Sequence, residues 1–166
     1  MNIISTEKAP GAIGPYSQGY TVGGLVFTSG QIPIDPATGA VAEGIAAQAD
    51  QSCRNVGAIL EAAGVGFDKV VKTTCFLADI ADFAAFNEVY ARYFTSKPAR
   101  SCVAVKDLPK GVLCEIEAIR LPGGAPAYRF SGRSAQWVEA RRLRAHLSLS
   151  HEDGMAMAYC ILETET

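Results

Sequence analysis

Apolar residues recur with period two at both ends of the first 121 residues and with a period near 3.6 in two stretches between. Ile3-Ile4-Ser5-Thr6 reads as a short edge strand. The run Ser17 to Val22 and the run Leu25 to Ser29 flank Gly23-Gly24, the two-residue signal of a tight β-hairpin. Between Ile3 and the hairpin, Pro10-Gly11-Ala12-Ile13-Gly14-Pro15 makes a bent but stiff loop that delivers Tyr16. Gly30-Gln31 ends the second hairpin strand, and Pro33, Pro36 and Gly39 punctuate a loop or irregular edge strand up to Glu43.

Ile45, Ala49, Cys53, Val56, Leu60 and Ala63 then fall on one helical stripe, with Gln48, Asp50, Arg54 and Glu61 off it and Gly64 placed as a C-cap. Val70 to Leu77 reads as a strand. Asp82 is positioned to cap a second helix carrying Phe83, Phe86, Val89, Tyr90, Tyr93 and Phe94. Asn87 lies inside that apolar stripe, about 40° from Phe83 and about 60° from Tyr90 around the helix. A carboxamide there needs a partner, either nearby backbone or a functional group.

Pro98-Ala99-Arg100-Ser101-Cys102-Val103-Ala104-Val105 is a proline-led strand. Alternation puts Arg100, Cys102 and Ala104 on one face and Ser101, Val103 and Val105 on the other. Arg100 therefore has small neighbours and room to grip a planar carboxylate with both arms; position alone equally allows a strand-end arginine in a weak surface ion pair. Asp107 to Gly111 is a turn, and Val112 to Leu121 is the last strand. On it Cys114, Ile116 and Ala118 oppose Leu113, Glu115, Glu117, Ile119 and Leu121. Two helices can cover only one side of five or six strands, so the mixed face is either wet or covered by a neighbouring subunit, which would set Glu115 near an interface.

Composition narrows the chemistry. The chain of 166 residues is 49% hydrophobic and 19% charged, enough for a real core. No apolar run approaches the roughly 20 residues of a membrane span, and Met1 to Ala12 lacks a secretory pattern, so a cytoplasmic protein is expected. Five cysteines (Cys53, Cys75, Cys102, Cys114, Cys160) have no close paired spacing, which indicates neither a disulfide framework nor a zinc site. Residues 1–121 hold ten of the fifteen Lys and Arg and twelve of the seventeen Asp and Glu, but neither histidine; His146 and His151 both follow Leu121. A Ser-His-Asp triad, a Cys-His pair or an H-E-x-x-H metal site is thereby excluded from that stretch. The absence of a basic cluster argues against a nucleic-acid backbone as partner. Cys102, with no base beside it, reads as wall and not nucleophile.

Gly14-Pro15-Tyr16-Ser17-Gln18, Thr28-Ser29-Gly30-Gln31-Ile32-Pro33, Asn87 with its aromatic neighbours, Pro98 to Val103 and Glu115-Ile116-Glu117-Ala118 together resemble the RidA/YjgF family of enamine/imine deaminases. The likeness runs in order from about Ile3 to Leu121, with no departure at a motif position. It implies an α+β, chorismate-mutase-like subunit, a mixed sheet of about six strands with two helices on one face, and a homotrimer with sites between subunits. It further implies that Arg100 binds the substrate carboxylate and that Glu115 activates water. Tyr16, Ser29, Gly30, Asn87 and Cys102 would line the cleft. The implied reaction hydrolyses reactive imines to 2-keto acids and ammonia with no metal or cofactor. Two rival classes are a non-catalytic carboxylate or partner-binding module and an endoribonuclease or translation inhibitor.

Residues 122–166 lie past the resemblance and read as a C-terminal extension behind a hinge at Pro122-Gly123-Gly124-Ala125-Pro126. A helix is expected over Ser134 to Leu147. His151-Glu152-Asp153 matches no metal-ligand spacing and reads as solvated loop.

Overall fold

The computed structural model describes residues 1–121, together with the backbone of the strands at 143–152 and 155–164. The chain divides into two compact units, Met1–Gly123 and Gly124–Thr166.

In the first unit, β1 (Asn2–Ile4), β2 (Gly19–Val22) and β3 (Leu25–Thr28) run antiparallel in sequence. Gly23 and Gly24 join β2 to β3 at φ of 56° and 79°, the pair of positive values that a type I′ hairpin turn demands. Helix α1 (Ile45–Ala62) stops where Gly64 takes φ 73° and its N–H donates to the Glu61 carbonyl, as the apolar stripe and Gly64 foretold. Then follow β4 (Val70–Leu77), α2 (Phe83–Tyr93), β5 (Ala99–Ala104) and β6 (Cys114–Arg120). Strand order across the sheet is β1-β2-β3-β6-β4-β5. Only the β4–β5 pairing is parallel. Strand β6 runs antiparallel between β3 and β4, so those two point the same way. The connections through α1 and α2 are thus both crossovers advancing in one direction, and right-handed crossovers of that kind place both helices on one face.

That face holds the main core. Val26, Cys75, Leu77, Cys114, Ile116 and Ala118 from the strands meet Ala49, Cys53, Val56, Ile59 and Leu60 of α1 and Phe86, Val89 and Tyr90 of α2. Phe94 stacks on Tyr90 at 4.3 Å between ring centroids. Asp82 does not cap α2. Its backbone is already helical (φ −76°, ψ −6°), because a 3₁₀ turn over Ile80–Asp82 runs straight into the helix. The cap moves upstream, where Asp79 Oδ1 accepts from the Ala81 N–H at 2.9 Å.

Gln48, expected off the apolar stripe, is buried. Its amide donates to the Ala42 carbonyl at 2.9 Å and accepts from the Leu113 N–H at 2.7 Å, stapling two irregular segments to α1. Asn55, fully buried, works the same way: Nδ2 donates to the carbonyls of Ile32 and Ile34 at 3.0 and 2.9 Å. Residues 30–44 are otherwise held by isolated bridges, Gln31 to Ile116 and Ile34 to Val41. A smaller cluster of Ile32, Ile34, Leu108 and Val112 packs against Phe76 and Val105.

Among the described residues no helix lies on the opposite face. Tyr20, Phe27, Ile119, Glu117, Glu115, Lys72 and Thr74 lie half-buried along it, and Ile3, Val22 and Val103 are exposed.

In the second unit, β7 (Leu143–Glu152) and β8 (Met155–Thr164) pair antiparallel from Leu143↔Thr164 to Glu152↔Met155. The helix expected over Ser134 to Leu147 is therefore wrong from Leu143 onward; residues 134–142 lie outside the described ones. Leu143, Ala145, Leu147 and Leu149 alternate with Arg144, His146, Ser148 and Ser150, a period of two that no helical phase accommodates. His151 and Glu152, read as loop, end β7. Among the described residues no helix is long and apolar enough to cross a membrane.

Asn55→Ala strips two buried carbonyls of their donor. It should lower the free energy of urea unfolding by about 2–3 kcal/mol, the cost of leaving such groups unpaired; an unchanged urea midpoint would show that the staple contributes nothing.

Candidate active site

Pro98 leads β5 out of the α2 connection, and the parallel register sets Arg100 beside Thr73 of β4. Thr73 also pairs with Ala118 of β6, so Arg100 shares the helix-covered face. There its side chain meets α2. Nη1 donates to Asn87 Oδ1 at 2.7 Å, and the guanidinium carbon lies 4.7 Å from the Tyr90 ring centroid and 5.5 Å from that of Phe83. Asn87 is neither a core amide nor a backbone staple. It orients the arginine.

Phe83, Asn87 and Tyr90 stand four and three residues apart on one line of α2, and this line is the seat for Arg100. Tyr90 is itself fixed by a 2.7 Å hydrogen bond with the Thr73 hydroxyl, and burial pushes its phenol up to about 12. The ring under the cation is therefore neutral at physiological pH. Stacking on the ring restrains the guanidinium without using its remaining N–H donors. The sequence reading had counted Tyr90 and Phe83 as core; their i, i+3 and i, i+4 relation to Asn87 was the available signal.

A cavity of ≈ 690 Å³ opens beside this arginine, with Asn87, Tyr90, Phe94, Lys97 and Pro98 also on its wall. Cys102, two residues on, is half-buried on the same face and directly paired with Cys75. Burial raises the Cys102 thiol, and Arg100 offsets that only in part, which leaves a neutral wall residue.

Glu115 is elsewhere. It pairs with Phe76, which in turn pairs with Val103, so Glu115 occupies the face without helices. Its neighbour there is Gly30: a Cβ added at Gly30 would strike the Glu115 carboxylate, so only glycine lets the chain pass so close. Gly30 is held from both sides, by the Gln31 N–H to the Ile116 carbonyl at 2.8 Å and by the Ser29 hydroxyl to the Ser17 carbonyl at 2.6 Å. Tyr16, half exposed, and Ser29 line a second opening of ≈ 580 Å³ with Gly14 and Pro15. Gln18 ties this loop down. Its side chain donates to the carbonyls of Thr6, Ala9 and Pro10 and accepts from the Thr6 N–H at 2.7 Å.

Burial raises the Glu115 carboxyl above its ordinary value, and the charge of Glu117, two residues along the same face, raises it further. It is thus a stronger base than a surface glutamate. Among the described residues no group of three or more Cys, His, Asp and Glu is arranged to hold a metal ion.

Within one chain the seven residues singled out from the sequence fall into two sets. Arg100, Asn87 and Cys102 gather under α2, while Tyr16, Ser29, Gly30 and Glu115 gather on the far side of the sheet.

Comparison with known proteins agrees with the motifs. The family model described as Endoribonuclease L-PSP matches residues 6–121. A curated relative from Salmonella typhimurium, named 2-iminobutanoate/2-iminopropanoate deaminase, is 58% identical over 120 residues, covering 70% of this chain and 94% of its own. The human protein of the same name is 53% identical over 123 residues, covering 73% of this chain and 90% of its own. The crystal structure of Escherichia coli TdcF with bound serine superposes with a TM-score of 0.72 at 49% identity, over 74% of this chain and 100% of that one. The E. coli YjgF structure gives 0.71 at 52%, over 73% and 98%. With five motifs in order, a six-stranded mixed sheet backed by two helices, and relatives alike over nearly their whole length, the chain belongs to the RidA/YjgF family of the Endoribonuclease L-PSP group.

Proposed function

We propose that residues 1–121 form a cytoplasmic, cofactor-independent deaminase that hydrolyses 2-imino acids to 2-keto acids and ammonia, and that each site is completed between subunits of a homotrimer. The observation that carries this reading is the parity of the strands. Arg100 and Glu115, the two groups the chemistry needs, occupy opposite faces of one sheet, so a carboxylate held by Arg100 of one subunit can reach only the Glu115 of another. The helix-free face, with exposed Ile3, Val22 and Val103 beside half-buried Phe27 and Ile119, supplies apolar surface for such an assembly. The names of the curated relatives and the serine bound to TdcF support a small amino-acid-derived ligand.

In this reading Arg100 captures the substrate carboxylate with the N–H groups that Asn87 leaves free. The protonated imine carbon is already electrophilic. Glu115 takes a proton from water as the water oxygen bonds to that carbon, giving a tetrahedral carbinolamine. It then returns that proton to nitrogen and takes the hydroxyl proton as the C–N bond breaks, so that ammonia leaves and the carbonyl forms. The raised proton affinity of Glu115 suits both steps, since the same group must accept and then donate. A pure carboxylate binder gains nothing from a carboxylate facing its anionic ligand. Residues 1–121 contain no histidine to serve as a ribonuclease base.

Arg100→Ala should lose binding and turnover together by about 2–5 kcal/mol, because a charge-assisted pair leaves ground and transition states alike. Glu115→Gln should spare binding of a keto acid but cut kcat by about a hundredfold or more. Mixing the two inactive variants and allowing subunits to exchange should restore activity at about a quarter of the sites, by random pairing across a head-to-tail interface. No recovery from a mixture that light scattering shows to be exchanged trimers would place both groups in one chain and sink the shared site.

Activity should fall as pH drops through the raised Glu115 value, since the base must be ionised. Glu117→Gln removes the like charge that favours protonation, so the acid limb of the pH–rate profile should move to lower pH. A limb that stays in place assigns it to another group.

A further inference from the structure

Arg100 is not the only cation on the wall of the ≈ 690 Å³ cavity: Lys97 lines it as well, and among the described residues no carboxylate does. Lys97 is exposed and forms no ion pair among the described residues. Its backbone is unusual on two counts. Lys97 has φ 53°, a left-handed conformation that favours glycine or asparagine, and it precedes Pro98, which drives the residue before it toward extended geometry. The conformation is held where the chain leaves α2, with the Lys97 N–H donating to the Phe94 carbonyl at 3.1 Å. A long cationic side chain thus stands in a strained position at the rim of a cavity that already contains a cation. Two like charges facing one space repel each other unless an anion lies between them. Tyr90, Ala91 and Phe94 add apolar surface to the same wall, beside Asn87 and Thr95.

A three- or four-carbon imino acid engages only Arg100 and leaves Lys97, on the same wall, without an anionic partner among the described residues. We infer that Lys97 provides a second anion subsite, and that the chain accepts imino dicarboxylates, of the kind derived from aspartate or glutamate. The α-carboxylate sits on Arg100, the methylene groups lie along Tyr90 and Phe94, and the distal carboxylate reaches Lys97. The inference rests on the proposed deaminase reading and deepens it by naming a substrate class.

The test compares two stable keto acids by calorimetry on the full chain, 2-oxoglutarate with a distal carboxylate and 2-oxobutanoate without. The wild type should bind 2-oxoglutarate more tightly by about fivefold or more, the scale of a solvent-accessible charge pair, and added salt should narrow the gap. Lys97→Met should bring the ratio of the two affinities to near one. Lys97→Asn, which tolerates the left-handed backbone, should do the same and guards against a folding defect. In parallel, imines made in situ by amino acid oxidases from glutamate and from 2-aminobutyrate should show the same change in their kcat/KM ratio. A wild type that binds both acids equally overturns the subsite, and so does a preference that survives in both variants. Failure of the underlying reading looks different: then no imine, neutral or acidic, is hydrolysed faster than in buffer.

Discussion

Everything functional in this molecule follows from one constraint, that successive residues of a strand face opposite ways while both helices lie on the same side. The direction of the two crossovers leaves one face dry and packed and the other bare. Moving Arg100 or Glu115 by one residue would put both on a single face, and the second subunit proposed above would be unnecessary. As built, the charges are segregated by the thickness of a sheet. Arg100 is set among aromatic rings that restrain it, and Glu115 stands on a surface that mixes apolar side chains with Glu117, Lys72 and Thr74. An assembly that covers the bare face also dries Glu115 further, which raises its proton affinity in the same step that brings a partner close.

The rigidity of each half comes from polar groups more than from regular structure. Irregular segments normally sit on the surface because buried backbone must be paired. Here three buried amides solve that pairing. Gln18 holds the loop leading to Tyr16, Asn55 holds the segment after Gly30, and Gln48 joins the Ala42 and Leu113 backbones. Each is a single side chain reaching across many residues of sequence. Each amide therefore couples the position of a site loop to the packing of a strand or of α1.

The regular elements of residues 1–121 could be read from spacing because propensity, pattern and turn chemistry agree there. Gly23-Gly24 and Gly64 carry conformations few other residues take, which is why the hairpin and the end of α1 were visible in advance. The start of α2 was not, because a 3₁₀ turn preceding the helix moved the capping aspartate from Asp82 to Asp79. The tail at Leu143 is a strand and not the expected helix, because Leu143, Ala145, Leu147 and Leu149 alternate with polar residues. At the site, residue types were readable but their sides were not. Alternation within β5 and within β6 each gave two faces, and only the register of both strands against β4 shows that Arg100 and Glu115 belong to different ones. The seat of Arg100 was half visible, since Asn87 stood out as a polar residue in an apolar stripe whereas Tyr90 and Phe83 looked like ordinary core.

The buried thiols have a consequence of their own. Cys53, Cys75 and Cys114 sit in the core under the sheet, and burial pushes Cys75 and Cys114 up to about 12. At neutral pH only about one such thiol in 10⁵ is a thiolate, the form that adds to electrophilic carbon. The C=N carbon of an imine is an electrophile of that sort. A protein that handles imines turnover after turnover, with Cys102 only two residues from Arg100, would alkylate itself if those sulfurs were ionised. Embedding Cys53, Cys75 and Cys114 in the core keeps those three thiols protonated and away from the intermediates the protein is proposed to destroy.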